Sequence, residues 1–465
     1  MSTVLVHLPP PMQKRAFSMM LARALELRDQ GEEVSVAHCA LTAGTCSANV
    51  LGSRAICAAC RYSTRKSVEP TGLELIPLAT DADDSSPPPA RFGYGELSQV
   101  ADGVNSCLVT VLRILTEDLR RVSVLRGIKR RYFRSTLSLL ASMHQVLETR
   151  GIDRVEVLNG RYACTKVGVI AARSQGRTFN TLDFNLNGKP MVFQGHTPHD
   201  RTAIQERIRR NDANEEIARL YYNGRRDRRF NKFAAAHRRF RAPRTSDNIT
   251  RKVTFYLSSQ DECESLGPEW KSPFRDAASV IEQASRRFPD YYFSVRFHPN
   301  QATIVSDVCS PFHSLYQLPN VQLYLPTDDV DSYSLMEWSD VVVTFASTVA
   351  IEACWSAKPV IQLGPSFFDQ LHISYTPQTL DEFLEILSGP LQPHSAEPAA
   401  RFATYETLDF DELQYLVCDA SMTRPVGFSR RAAVFAKPAK EINTVVLSVI
   451  QKIAAGQLKK RPKAA

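Results

Sequence analysis

Asp328 to Gly364 constrains the fold more than any other stretch, because it reads without a break as helix, strand, turn, helix and strand. Val341-Val342-Val343 is a β-branched run, the pattern of a parallel strand covered on both faces. The chain then turns and enters a helix near Ser347, with Val349, Ala350, Ala353 and Cys354 at helical spacing. Pro359-Val360-Ile361 opens the next strand and Gly364 ends it. The product is a βαβ unit with a small hydroxylic turn, Ser347-Thr348, at its centre.

A strand that delivers a helix N-terminus to the rim of a parallel sheet makes an anion site from backbone N–H groups and the helix dipole. The Ser347 and Thr348 hydroxyls let a phosphate approach and can donate to it. A second marker, Arg296-Phe297-His298-Pro299-Asn300, follows the apolar strand 291–295. Cationic and hydrogen-bonding side chains at a strand's C-terminal end suit a nucleotide phosphate. The two markers together predict a nucleotide-sugar site.

The rest of the chain repeats the α/β alternation. Strands are predicted at 4–8, 33–38, 73–77 and 155–158, with an amphipathic helix over 14–29 and helical patterns dominating 96–149. A helix over 162–175 and a strand ending at Asp183 follow. A second series starts with strand 253–258, helix 274–287 and strands 291–295 and 321–325. Two such series predict an α/β protein of two Rossmann-like domains facing each other across a central cleft. The divisions expected are 1–245, 246–425 and a C-terminal helix with a basic tail over 426–465. A chain of 465 residues is long enough for two domains.

RFHPN followed by SYSLMEWSDVVVTFASTVAIEACWSAKPVIQLG resembles bacterial capsule- and surface-polysaccharide glycosyltransferases of the GT-B type. The resemblance runs over 291–364. A second patch is similar to the acceptor-side half of the same transferases: Asn159-Gly160-Arg161, then Gly176, Asp183 and Pro198-His199-Asp200. It implies that Arg296, His298, Pro299, Ser347 and Thr348 hold the donor, with Glu352, one turn beyond Thr348, reaching the ribose. It also implies metal-independent transfer of a sugar, with a CMP-linked acidic sugar as the expected donor, to a growing polysaccharide or a lipid-linked glycan.

Such a transfer needs a base at the acceptor hydroxyl and charge stabilisation at the departing phosphate. Asp183, at a strand end after the NGR helix, is the first candidate base, and His199 and Asp200 compete with it. Arg161 is placed to orient Asp183 or bind an acidic acceptor, while Asn159 and Gly160 shape the turn. The DxD runs at Asp81–Asp83 and Asp329–Asp331 sit in a Pro/Ser loop and at a helix start, which disfavours a metal-dependent GT-A enzyme. Polyol-phosphate transfer from a CDP-activated donor, a sugar-nucleotide 2-epimerase and a non-catalytic binding subunit remain as alternatives. No GxGxxG follows the first strand and no GxxxxGK[ST] occurs, against a dehydrogenase or P-loop ATPase.

Residues 219–244 carry ten Lys or Arg and a single acid, Asp227, and the net charge is +8. The run reads as a solvated helical face and linker, or as a surface for an anionic acceptor or the inner leaflet of a membrane. Nucleic acid is disfavoured, because no aromatic-interleaved module or zinc-finger spacing accompanies it. No apolar run approaches the roughly 18–20 residues of a membrane span. MSTVLVHLPPP lacks the features of a secretory signal, so a cytoplasmic protein, at most peripheral to the inner membrane, is expected.

Cys39, Cys46, Cys57 and Cys60 have the spacing C-x6-C-x10-C-x2-C. Four thiolates can close a tetrahedral structural zinc site. Unligated thiols are the plain alternative, and an iron–sulfur or redox role is a third. Disulfides are disfavoured in the cytoplasm. The remaining cysteines are isolated and read as small buried hydrophobes.

Overall fold

The computed structural model describes residues 2–79, 92–227, 243, 248–418, 423–425 and 433–460. The first DxD and most of the basic run lie outside them. Two compact units result: Met1–His199 with Phe410–Ala465, and Asp200–Asp409.

In the first unit the order is β1 (Thr3–His7), α1 (Lys14–Asp29), β2 (Glu33–Cys39), α2 (Arg54–Val68), β3 (Glu74–Leu78), α3 (Tyr94–Leu112), α4 (Thr116–Arg121), α5 (Ser123–Thr149), β4 (Arg154–Leu158), α6 (Ala163–Ser174), β5 (Thr178–Phe184) and β6 (Pro190–Gln194). The sheet order is β3-β2-β1-β4-β5-β6, parallel except for β6, which runs antiparallel to β5. Alternation along β1 divides the core. Leu5 faces the layer built from α5 and α6, while Val4 and Val6 face α1. Both faces are apolar, so the strands read as continuous hydrophobic runs.

The second unit comprises α7 (Arg201–Arg210), α8 (Glu215–Arg226), β7 (Arg251–Tyr256), α9 (Gln260–Leu266), α10 (Ala277–Arg287), β8 (Tyr291–Arg296), β9 (Val321–Tyr324), α11 (Ser332–Trp338), β10 (Val341–Thr344), α12 (Val349–Trp355), β11 (Val360–Gln362), α13 (Leu380–Ser388) and α14 (Glu397–Leu408). Its sheet is wholly parallel in the order β11-β10-β7-β8-β9. In both units the first strand is central, the second and third lie on one side, and the fourth and fifth on the other. This is the doubly-wound order, and ligands bind where it reverses, outside the carboxyl ends of the strands. Two Rossmann-like domains are therefore present, as the alternation in the sequence predicts.

The boundary differs from the expected 245/246. Ala218, Tyr221 and Tyr222 are buried on α8. Tyr222 stacks on Trp355 with ring centroids 5.2 Å apart and donates to the Ala399 carbonyl at 2.8 Å. This apolar face commits α8 to the second unit. The chain rejoins the first unit at Phe410. There it forms the antiparallel pair β12 (Leu416–Cys418) and β13 (Thr423–Pro425), then α15 (Ala433–Lys460). The C-terminal helix α15 packs along α2, and the residues of the basic tail after Lys460 lie outside the described ones. Asn443 accepts from the Val50 N–H at 3.2 Å and donates to the Ser47 carbonyl at 3.1 Å.

Candidate functional site

Thr344, Tyr256 and Arg296 lie in one row across β10, β7 and β8. The Ser347 turn begins three residues beyond that row and His298 stands two residues beyond it. With neighbouring strands about 4.8 Å apart, the two markers are separated by roughly 10 Å at the reversal point of the sheet. The Ala346 N–H donates to Ser258 Oγ at 2.9 Å, tying the loop after β10 to the loop after β7. A Cβ at Gly364 would overlap the Phe345 carbonyl oxygen, so only glycine lets these segments approach.

At the turn, Ser347 Oγ accepts from the Val349 N–H at 3.2 Å. The helix that follows, α12, has only seven residues. Its peptide dipoles sum to little, so binding of an anion here falls to the turn's own donors. Arg225 on α8 donates from Nη2 to Thr348 Oγ1 at 3.4 Å and from Nε to Glu352 at 2.7 Å. Burial works against the Arg225 charge, but Glu352 beside it holds the pKa above the ordinary value. Glu352 is thus clamped beneath the turn, which differs from the expected reach toward a ribose.

Arg225 is the residue that sequence reasoning missed. It belongs to the basic run read as a solvated face or a surface for an anionic partner, yet it is 9% exposed. The signal was available: Ala218, Tyr221, Tyr222 and Arg225 recur at helical spacing on one face of α8.

His298 precedes a short 3₁₀ turn, Pro299–Thr303, with Pro299 at its first position. Its Nδ1 accepts from the Asn300 N–H at 3.1 Å. That bond fixes the ring's proton on Nε2, making Nε2–H a donor. Arg296 departs from expectation. It is 2% exposed, donates to the Leu325 carbonyl at 2.8 Å, and burial lowers its pKa. It supports the end of the sheet and does not line an open phosphate site. In the second DxD, Asp331 caps α11 by accepting from the Tyr333 N–H at 2.9 Å.

In the first unit the acceptor-side residues converge on Asn159, directly after β4. Its φ of 55° and that of Gly160, 71°, make the left-handed turn. The Asn159 amide does more than shape that turn. Its Nδ2 donates to Asp183, while its Oδ1 accepts from the Arg161 N–H at 3.2 Å and lies 3.3 Å from His199 Nε2. An amide oxygen only accepts, so the His199 proton sits on Nε2.

Asp183 also accepts from the Phe184 N–H at 2.8 Å. Burial raises its pKa, outweighing the hydrogen bonds and the Arg161 and Arg15 charges. His199 is the opposite case: burial and then Arg161 lower its pKa to about 3, so the ring is neutral. Arg161 lies over the Tyr162 ring, 4.5 Å from its centroid. Asp200 is exposed and caps α7, accepting from the Ala203 N–H at 3.1 Å. The cap occupies the carboxylate that was read as a competing base.

Arg15, at the start of α1, is a further neighbour of Asp183. It lies over the Phe184 ring at 4.1 Å and donates to the Gly188 carbonyl at 2.8 Å. A cation in the first turn of a helix opposes the dipole. Lys14-Arg15 with no acid in that turn was the sequence signal for it.

Cys39, Cys46, Cys57 and Cys60 line one cavity of about 40 Å³ with His7 and His38, beyond the carboxyl ends of β1 and β2. All four are free thiols. Among the described residues, no three His, Cys, Asp or Glu side chains are placed to hold a single metal ion.

Paired doubly-wound sheets, one with a hydroxylic turn at its reversal point, make this an α/β protein of two Rossmann-like units. Within it, residues 209–387 match the family of capsule polysaccharide biosynthesis proteins. That match bears out the resemblance read from RFHPN and the Ser347-Thr348 turn. No curated protein matches the sequence.

Among solved structures, the chain is similar to the beta Kdo 2,4 transferase KpsC of Thermosulfurimonas dismutans, at 13% identity and a TM-score of 0.37, covering 66% of this chain and 93% of that one. The beta Kdo 2,7 transferase KpsC of the same organism gives 13% and 0.36, covering 66% and 89%. A UDP-GlcNAc 2-epimerase from Neisseria meningitidis, bound to UDP-GlcNAc, gives 12% and 0.27, covering 88% and 100%. With TM-scores this low, the fold assignment rests on the two sheets themselves. No helix among the described residues is long and apolar enough to cross a membrane.

Proposed function

We propose that this chain is a glycosyltransferase of capsule polysaccharide synthesis that takes a CMP-linked acidic sugar and needs no metal for the transfer. The acceptor is a growing polysaccharide or lipid-linked glycan, met at the inner face of a membrane. The observation that carries the reading is the Ser347-Thr348 turn at the reversal point of β10 and β7, with His298 two residues past the end of β8, inside the segment that matches the capsule family.

In the proposed step the acceptor oxygen bonds to the anomeric carbon as the bond from that carbon to the phosphate oxygen breaks. The acceptor proton passes to the Asp183 carboxylate, whose raised pKa suits a base better than an ordinary aspartate. The nucleotide leaves with the bonding pair. Its phosphate charge is met by His298 Nε2–H and the Ser347 and Thr348 hydroxyls. Asn159 keeps the Asp183 carboxylate in place, and neutral His199 is its second partner. Asp183 returns its proton to solvent.

The test is a thermal-shift panel of CMP, CDP, UDP, GDP and their sugar conjugates, followed by product analysis with the nucleotide that stabilises. A ligand that binds only the folded chain raises its melting point. Stabilisation by CMP with transfer of an acidic sugar supports the reading. A response to CDP with polyol-phosphate product, or to UDP with epimerised sugar, replaces it. Silence across the panel removes the donor site.

A further inference from the structure

We propose that Cys39, Cys46, Cys57 and Cys60 hold an iron–sulfur cluster in the first unit. The argument begins with geometry. Thiolates on one zinc converge on a point about 2.3 Å from each sulfur, so they stand only about 3.8 Å apart. Here the four thiols surround a cavity of about 40 Å³ and form no single-ion group. That volume equals the space of roughly three buried waters. A cluster spreads its thiolate ligands over several iron atoms, leaving a void of this kind where the irons and sulfides belong.

The walls supply a second, independent observation. His7 is 2% exposed and Thr45 is 2% exposed, and both line the cavity. His7 Nδ1 and Thr45 Oγ1 are buried without a hydrogen-bond partner. Burying such groups unpaired costs roughly 1–3 kcal/mol each. Inorganic sulfide in the cavity would accept from both and remove that cost.

Donors already point at the thiols. Asn49 Nδ2 donates to Cys57 Sγ at 3.2 Å. Backbone bonds from Leu41 to Cys39, and from Ala48 and Asn49 to Cys46, favour the thiolate forms. Donors to ligand sulfur of this kind are the levers that tune a cluster's potential. At these thiols burial dominates, pushing Cys39 up to about 11 and raising Cys46 and Cys60 above the ordinary value as well. A bound cation inverts that balance, because a coordinating thiol gives up its proton. Loading therefore releases thiol protons to solvent and pins the segment between β2 and α2 to α2. No electron transfer is required of the cluster, and the proposal stands apart from the transferase reading.

The experiment is anaerobic purification of the full chain with analysis of iron, acid-labile sulfide and zinc, before and after reconstitution with ferric iron, sulfide and dithiothreitol, the thiol supplying any electrons the irons take up. The expected result is iron and sulfide in equal amounts, about two or four of each per chain, with visible charge-transfer absorption. Cys39→Ser and Cys57→Ser should each lower iron retention at least roughly tenfold. Cys263→Ser, on α9 of the other unit, should leave it unchanged. One zinc per chain without sulfide overturns the proposal, as does a wild-type chain that takes up no iron on reconstitution. The wild-type measurements decide the matter even where a serine variant fails to fold.

Discussion

Arg225 grips Glu352 with Nε and Nη2 at 2.7 and 2.6 Å, and the two side chains are only 10% and 6% exposed. The pair links α8 to α12 directly under the Ser347-Thr348 turn. Removing one partner leaves a buried charge alone, which costs about 3–5 kcal/mol. Arg225→Met and Glu352→Leu should therefore each lower stability by that order in urea melts. The double variant should recover most of the loss, since apolar replacement of a buried pair is close to neutral. A double variant as unstable as the sum of the singles would show that the pair is not what holds the turn.

At the donor turn, His298→Ala and Ser347→Ala should weaken nucleotide binding with little change in melting temperature. A hydrogen bond to a charged group contributes about 1.5–3 kcal/mol, so the dissociation constant should rise roughly ten- to hundredfold. Calorimetric titration of the nucleotide identified by thermal shift is the check. Unchanged affinity in both variants would place the phosphate elsewhere.

Asp183→Asn should cut turnover by roughly 10²–10⁴-fold while donor affinity is retained. Normal turnover would remove Asp183 from the role of base. The raised pKa adds a pH signature. Only the ionised carboxylate accepts a proton, so kcat/KM should fall on the acid side through a pKa above the ordinary aspartate value. The stability sign is opposite to that of an ion-paired aspartate. The folded chain keeps this proton where the unfolded chain has lost it, so the contribution to stability declines as pH rises from the ordinary value through the folded pKa.

Asn159 separates conformation from chemistry. Its φ of 55° is open to glycine at no steric cost, whereas its amide touches both Asp183 and His199. Asn159→Gly should keep the fold, as read by circular dichroism, and still lose turnover by at least roughly tenfold through misplacement of Asp183. Full activity in that variant would mean the amide shapes the turn and nothing more.

His199 predicts acid sensitivity. Its pKa is lowered to about 3, so the folded ring stays neutral while the unfolded one protonates near 6.5. The group's contribution is present above 6.5 and declines as pH falls toward 3, by on the order of 1 kcal/mol at pH 5 once its partial exposure is allowed for. His199→Gln should flatten that part of the stability profile. An unaltered profile would assign the acid limb to other groups.

Much of the fold was legible because its signals are local. The helix over 14–29 and the βαβ unit from 328 to 364 follow from apolar periodicity and from Gly and Pro punctuation. What escaped was of another kind. β6 runs antiparallel, which an apolar run cannot announce, and the apolar positions of α15 do not name α2 as their partner. The candidate site divides in the same way. Ser347, Thr348 and His298 were found from their positions at strand ends. Arg296 was found too, but only packing reveals that its head is enclosed and held by the Leu325 carbonyl.

The sequence by itself determined the order of strands and helices, the doubly-wound class and the hydroxylic turn, since each depends on residues within a few positions of one another. Only the tertiary structure decided how the polar groups are paired. Arg225 and Glu352 are 127 residues apart, and Asn159 joins Asp183 and His199 from 24 and 40 residues away. Burial turns such encounters into obligations, because a polar group withdrawn from water must find its partner wherever the fold has brought one. No local pattern in the chain records which partner that will be.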